Sequence, residues 1–547
     1  MQGRGGPKEY KMCAYLRTPL AILTLLLLVC RLPAADTEAE KRARAWMRPA
    51  VETGSEVFQY HTAAKGGKGR TVRSWLWIPP NAEKVRGLIY AGDLMMESNF
   101  VADPTIRKAC EDQSIAILFS KPQLPLALKK DDKTGGEQFV KALSELAEMS
   151  GYPEITTVPI MPLGHSAASP TVGKILRWNP DRCFGAVTYK GAHPIPTAGP
   201  VEMLHGIPNI HIQDYVDEYK NRRETGSLGR LNVLSMRRKD PDLLMGIIED
   251  CGSKHPAWCF RLTPLIAEYI RATAELRIGD NGKVKPVPTS AGYLLDKDFH
   301  KPRFPMAKAD QFGGDPKEAI WYPSEKMAKM MCDYNAVQLG KEAQYVAFLK
   351  DGKPIPEKSG PPLKWVEADV FEVKATFLKR ADNKALPQVP VTHADGPILF
   401  APHGRTLDLV GPGRFRLRYH PQAVRWYRIS AYVRSDSKHR YEEVLTDIHV
   451  GSPRGGKAQT IEFPEIGTVK RKKFPVTLKA KSSEGLPVRY CVEYGPAVVK
   501  DGKLELAEVP KNAKFPIKIL VTAYQYGSRV EPIVQQAERV SQTVVVE

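Results

Sequence analysis

The segment TVPIMPLGHSAASPTVGKIL sets Ser166 between small residues, Gly164 two before it and Ala168 two after, with an apolar run upstream and a helix-like run downstream. A serine on a sharp strand-to-helix turn presents its hydroxyl as a nucleophile, and the flanking residues must be small because larger ones would collide with the turn's own backbone. The usual spacing is GxSxG. Ala168 stands where the last glycine would, and it is small enough to keep the turn. The helix that follows aims its first N–H groups at the same place, where they favour a developing anionic oxygen. Serine attacks at neutral pH only beside a base, and the base needs a carboxylate to orient it. Downstream, IPNIHIQDYVDEYK runs out of an apolar strand into a loop bearing Asp214, Asp217 and Glu218. Farther on, His255 lies in CGSKHPAWCF, between the apolar run LLMGIIED and the helix-like RLTPLIAEYIRATAEL. Together these residues could perform nucleophilic catalysis by an activated serine. His165 adjoins that serine, and adjacent residues in a turn point different ways, so it lines the site and is not the base.

Such groups need a scaffold. From about residue 72 to 275, short apolar or β-branched runs (VRSWLWI, VRGLIYA, IAILFS, TVPIMPLG, CFGAVTY, IPNIHIQ, LLMGIIE) alternate with amphipathic stretches such as EQFVKALSELAEM and SPTVGKILRW. That alternation predicts an open α/β fold, a parallel sheet covered by helices, whose sites form at the carboxyl ends of the strands.

The strand–GHSAA–helix segment, the Pro-led strand ending near Asp217 and the closing loop and helix around His255 resemble the α/β hydrolases over about residues 55–275. The resemblance implies the chain order serine, acid, histidine. It places Asp217 on the acid position, with Glu218 and Asp214 as alternatives, and makes His255 the general base. It implies acyl transfer through an acyl-serine, with no metal and no organic cofactor. One oxyanion donor would be the Ala167 N–H, and the other would come from the loop after VRGLIYA, at Asp93 or Leu94. The family's frequent His-Gly there reads Ala91-Gly92. Met95, Met96 and Phe100 are either an apolar substrate rim or ordinary core.

A chain of 547 residues exceeds what one core supports, so about three domains are expected. The α/β-hydrolase domain is read as residues 36–280. After that Pro, Gly and Lys rise and alternating runs such as FEVKATFL, RFRLRYH and RISAYVR appear, predicting a β-rich domain over 285–455 with one helix in SEKMAKMMCDY. Six short alternating runs follow over 456–547. Their sequence, QTIEFPEI through SSEGLPVRYCVEYGPAVVKDGKLEL to ILVTAYQYG, resembles bacterial immunoglobulin-like modules and implies a carboxyl-terminal β-sandwich.

Residues 1–35 carry Arg4, Lys8, Lys11 and Arg17, the apolar run Leu20–Cys30 and then LPAAD. This is the order of a secretory signal peptide, and the run is too short to span a bilayer. Export to the exterior, periplasm or cell surface is therefore expected, with a mature start near Asp36. The six later cysteines are irregularly spaced, without CxxC pairs, so no zinc site is expected. Cys251 and Cys259 either pair around a loop or sit as small buried hydrophobes. The formal charge of +19 favours anionic partners. No zinc-finger spacing, basic zipper or aromatic RNA-binding motif accompanies it, so nucleic acid is not an expected partner. The reading is a secreted esterase acting on an ester substrate, with an anionic polysaccharide ester fitting the charge. The alternatives are a prolyl-oligopeptidase-like peptidase acting on peptides, although no propeller-like repeat precedes the domain, and an inactive binding scaffold.

Overall fold

The computed structural model describes residues 36–48, 56–65, 70–124, 136–191, 201–214, 226–299, 302–357, 359–381 and 388–547. Eight strands form the main sheet: β1 (Tyr60–Lys65), β2 (Thr71–Trp77), β3 (Gly87–Gly92), β4 (Ile115–Lys121), β5 (Ile160–His165), β6 (Ala186–Tyr189), β7 (Asn209–Asp214) and β8 (Met245–Asp250). Their order is β1-β2-β4-β3-β5-β6-β7-β8. The first two strands run antiparallel to their neighbours, and β4, β3 and β5 to β8 are parallel. Every residue of β3, β5 and β8 is buried. That is why these strands read as continuous apolar runs and not as alternation.

Helices α1 (Glu38–Trp46), α2 (Glu97–Ala102), α3 (Pro104–Asp112), α4 (Glu137–Ser150), α5 (Ser169–Trp178), α6 (Gly226–Lys239) and α7 (Thr263–Arg277) accompany the sheet. Among their contacts, α5 packs on β5, α6 on β7 and β8, and α3 on α7.

The region after α7 divides differently from the expected boundary at 285. The ribbon β9 (Tyr293–Asp296), β10 (Ala307–Lys308) and β11 (Ala319–Tyr322), with helix α8 (Glu325–Ala336), buries Leu295, Ile320, Tyr322, Met327, Met331 and Tyr334 in the same apolar core as the main sheet. A second core begins only at Val346 and runs to Ile448. Alternation shows that a segment is a strand but not which core its apolar side joins. The tail, residues 461–546, places three small sheets around a third core that includes Val492, Leu504, Ile519, Val521 and Val544. It also docks on the main sheet's edge: Phe58 bridges Gly495, the Trp75 indole donates to the Glu493 carbonyl at 3.0 Å, and the His61 and Tyr494 rings stack at 4.8 Å. Among the described residues no helix is long and apolar enough to cross a membrane. The six described cysteines are free thiols, so Cys251 and Cys259 are two buried hydrophobes and not a bridge.

Candidate active site

Ser166 follows the last residue of β5 and opens a short 3-10 turn, Ser166–Ala168, that leads into α5. Its φ of 51° lies in the left-handed region, which a non-glycine residue enters only when its surroundings impose it. The imposition is visible at Gly164, where a Cβ would lie 2.4 Å from the Ala168 carbonyl oxygen. Ala168, by contrast, has φ −85° and ψ −16°, ordinary helical backbone that any residue adopts. The departure from GxSxG therefore leaves the turn intact. Ser166 is half-buried and Ala167 exposed, so the turn opens to solvent.

The Ser166 hydroxyl lies 2.8 Å from His255 Nε2 and donates to it. Burial first, then the positive charges of Lys190 and Arg428, lower the His255 pKa to about 4. The imidazole is thus neutral at pH 7, the form that can accept the serine proton. His165 Nε2 lies 3.0 Å from the His255 carbonyl oxygen, and since a carbonyl only accepts, that nitrogen carries the hydrogen. His165 therefore props the backbone of His255, and the two rings lie 5.2 Å apart.

The loop Cys251–Cys259 that carries His255 hangs on buried charges. Lys190, at the end of β6, is fully buried, with Nζ 2.5 Å from Asp214 and 3.4 Å from Asp250, and it donates to the Lys254 carbonyl at 2.7 Å. Burial opposes its charge, but the two carboxylates outweigh that and hold its pKa above the ordinary lysine range. Arg261 donates to Asp250 and to the Cys251 carbonyl, each at 2.8 Å. From the β-rich region, Glu442 lies 3.5 Å from Lys254 Nζ, His403 Nδ1 accepts from the Trp258 N–H at 3.2 Å, and Arg428 donates to the Pro256 carbonyl at 3.4 Å. A Cβ on Gly252, whose φ is +84°, would meet the Tyr441 carbonyl oxygen at 2.3 Å.

Of the acid candidates, Asp217 and Glu218 lie outside the described residues. Asp214 is buried at the end of β7 and is ion-paired with Lys190. On the β3–α2 loop, the Asp93 N–H donates to the Ser120 carbonyl at 2.8 Å, toward β4. That bond removes it as an oxyanion donor, because the sheet has already taken its hydrogen. The Leu94 N–H donates at 3.1 Å to Glu97, which also accepts from Met95 and from His165, both at 2.8 Å. Met96 and Phe100 are buried in the core and Met95 packs against it, which favours the core reading over a substrate rim. Sequence reasoning missed Glu97, Lys190, Asp250 and Arg261. The available signal was charge at strand ends, in VTYK and IIED, where an open α/β sheet builds its sites.

No family model matches the chain, and no curated protein matches it. Among solved structures it is similar to brefeldin A esterase, described as a bacterial homologue of human hormone sensitive lipase, at 12% identity and TM-score 0.29 over 44% of this chain and 84% of that one. It is similar to an S-formylglutathione hydrolase from Agrobacterium tumefaciens, at 13% identity and TM-score 0.29 over 42% and 98%. A fungal esterase from Rhizomucor miehei gives 12% identity and TM-score 0.30 over 43% and 90%. The fold class expected from the sequence, a mainly parallel α/β sheet followed by β-rich sheets, is the one observed.

Proposed function

We propose that this protein is a serine hydrolase that cleaves carboxylic esters through an acyl-serine intermediate, with Ser166 as nucleophile, His255 as general base and Asp217 as the orienting acid. The observation that carries the reading is the 2.8 Å contact between the Ser166 hydroxyl and a neutral His255, on a turn whose backbone is held at positive φ. His255 Nε2 takes the hydroxyl proton as Oγ attacks the ester carbonyl. The tetrahedral oxygen is met by the Ala167 N–H, and the imidazolium then returns its proton to the leaving alcohol. Water repeats the sequence in reverse and frees the acid. Export is part of the proposal, supported by the charged, apolar and small-residue order of residues 1–35. The basic composition supports esters of anionic polymers such as acidic polysaccharides as substrates.

Labelling of the folded protein with a fluorophosphonate tests the reading, since the probe reports an activated serine without assuming a substrate. Ser166→Ala abolishes labelling, and pairing it with His255→Ala adds little to ester hydrolysis rates beyond either single change, because such groups act as a unit. Asp217→Asn lowers the rate by about 10³- to 10⁴-fold, whereas Glu218→Gln changes it little. Folded wild-type protein that neither labels nor turns over simple esters defeats the proposal.

A further inference from the structure

We propose that Glu97 is a positioning residue of this site, one buried carboxylate that holds the β3–α2 loop and the nucleophile turn in register. The inference rests on the serine-hydrolase reading and adds to it the group that sets the second oxyanion donor. Glu97 is the first residue of α2 and has no exposed surface. One carboxylate oxygen accepts the N–H of His165, the residue before the nucleophile, at 2.8 Å. The other accepts from Met95 at 2.8 Å and from Leu94 at 3.1 Å. Three donors from two separate elements therefore converge on one side chain.

The register of the sheet gives these bonds their meaning. β3 lies between β4 and β5, and the Asp93 N–H points to β4, where Ser120 accepts it. The next N–H, that of Leu94, lies in a bend and bonds the Glu97 carboxylate, whose other oxygen holds the His165 N–H beside Ser166. The Leu94 bond to Glu97 is the longest of the three. Unlike the Asp93 bond, which belongs to the sheet, the Leu94 bond is to a side chain, so a substrate oxyanion competes for that N–H while the Met95 and His165 bonds keep the carboxylate in place.

Burial first raises the Glu97 pKa, to about 7, against the pull of the Met95 and His165 N–H groups, and nearby Asp93 raises it further. The titratable and charged groups around it are Asp93 on its own loop, itself raised to about 6 by burial, and His165 on β5. Lys121 on β4 and Arg425 of the β-rich region act on it through Asp93. Protonation turns one acceptor oxygen into a donor, so the clamp loosens as pH falls through about 7.

The test uses the full chain and a fluorophosphonate, with the labelling rate followed from about pH 5 to pH 9, a range that brackets ordinary carboxyl and histidine ionisation. Wild-type labelling rises through an ionisation near pH 7. In Glu97→Gln the amide presents one acceptor and one donor group, so one side of the clamp faces a donor. That variant labels ~10- to 100-fold more slowly at high pH and lacks the ionisation, as expected when reacting groups are misplaced by a fraction of an ångström. Its KM for p-nitrophenyl acetate stays within about 2-fold while kcat falls, because the loss is confined to the transition state. Asp93→Asn keeps the ionisation. A folded Glu97→Gln with wild-type rate and pH profile overturns the inference. So does a wild-type rate that is flat or rises as pH falls through that range, and this readout holds even if the variant fails to fold. Wild-type protein that labels at no pH overturns the serine-hydrolase reading itself and this inference with it.

Discussion

In the proposed mechanism a single backbone torsion at Ser166 separates a surface serine from a nucleophile. Gly164 permits that torsion by carrying no side chain against the Ala168 carbonyl, whereas Ala168 sits in relaxed helical backbone. The two small positions of the motif are therefore unequal, although they look alike in sequence. Gly164→Ala is expected to cost ~1–3 kcal/mol of stability from overpacking and to suppress labelling. Ala168→Gly is expected to cost about 1 kcal/mol or less and to keep activity close to wild type. Urea melts and labelling rates of the two variants check this. The contact between Ser166 and His255 was legible in the sequence because each lies in a local strand–turn–helix pattern. Glu97 and Lys190 were not, because a lone acid or lysine acquires its meaning from partners far along the chain. Lys190, for example, pairs with carboxylates at positions 214 and 250.

All seven strands expected over residues 72–275 are present, since largely buried strands announce themselves as apolar runs. The edge strand β1, reading YHTAAK, escaped because much of it is partly or fully exposed. The short α2 escaped because it has too few turns to show a period. Among connecting elements, the loop Cys251–Cys259 matters most, since its shape places His255. Gly252 adopts positive φ directly against the Tyr441 backbone, so Gly252→Ala must move the loop away from Tyr441. The expected outcome is a loss of ~1–3 kcal/mol together with a fall in kcat of about 10-fold or more from the displaced imidazole. Thermal melts and ester kinetics on the same preparation separate the two effects.

Over the whole molecule, the β-rich region is a wall of the site. Glu442, His403, Arg428 and Tyr441 all press on the histidine loop, and α1 is tied to the same β-rich region through Arg44, which donates to the Ser435 carbonyl at 2.7 Å. The sequence reading ends the α/β domain at residue 280, as if the site were complete there. The packing of β9–β11 and α8 into the main core, and of residues 403–443 against the loop, argues otherwise. A chain truncated after residue 340 is expected to retain helical circular dichroism yet label at least ~10-fold more slowly, since Lys254 loses both of its carboxylate partners, Glu357 and Glu442, and the loop its support. Equal labelling of the truncated and full chains would show that the α/β portion positions His255 alone.

The span of that support also imposes an order in time. Lys254 meets Glu442 across 188 residues of sequence, and chains emerge from synthesis amino terminus first. A nascent chain already long enough to hold both Ser166 and His255 still lacks the strand that seats the histidine. On the proposed mechanism its serine reacts more slowly until nearly two hundred more residues have been made, so the half-finished chain is a poor hydrolase while synthesis continues.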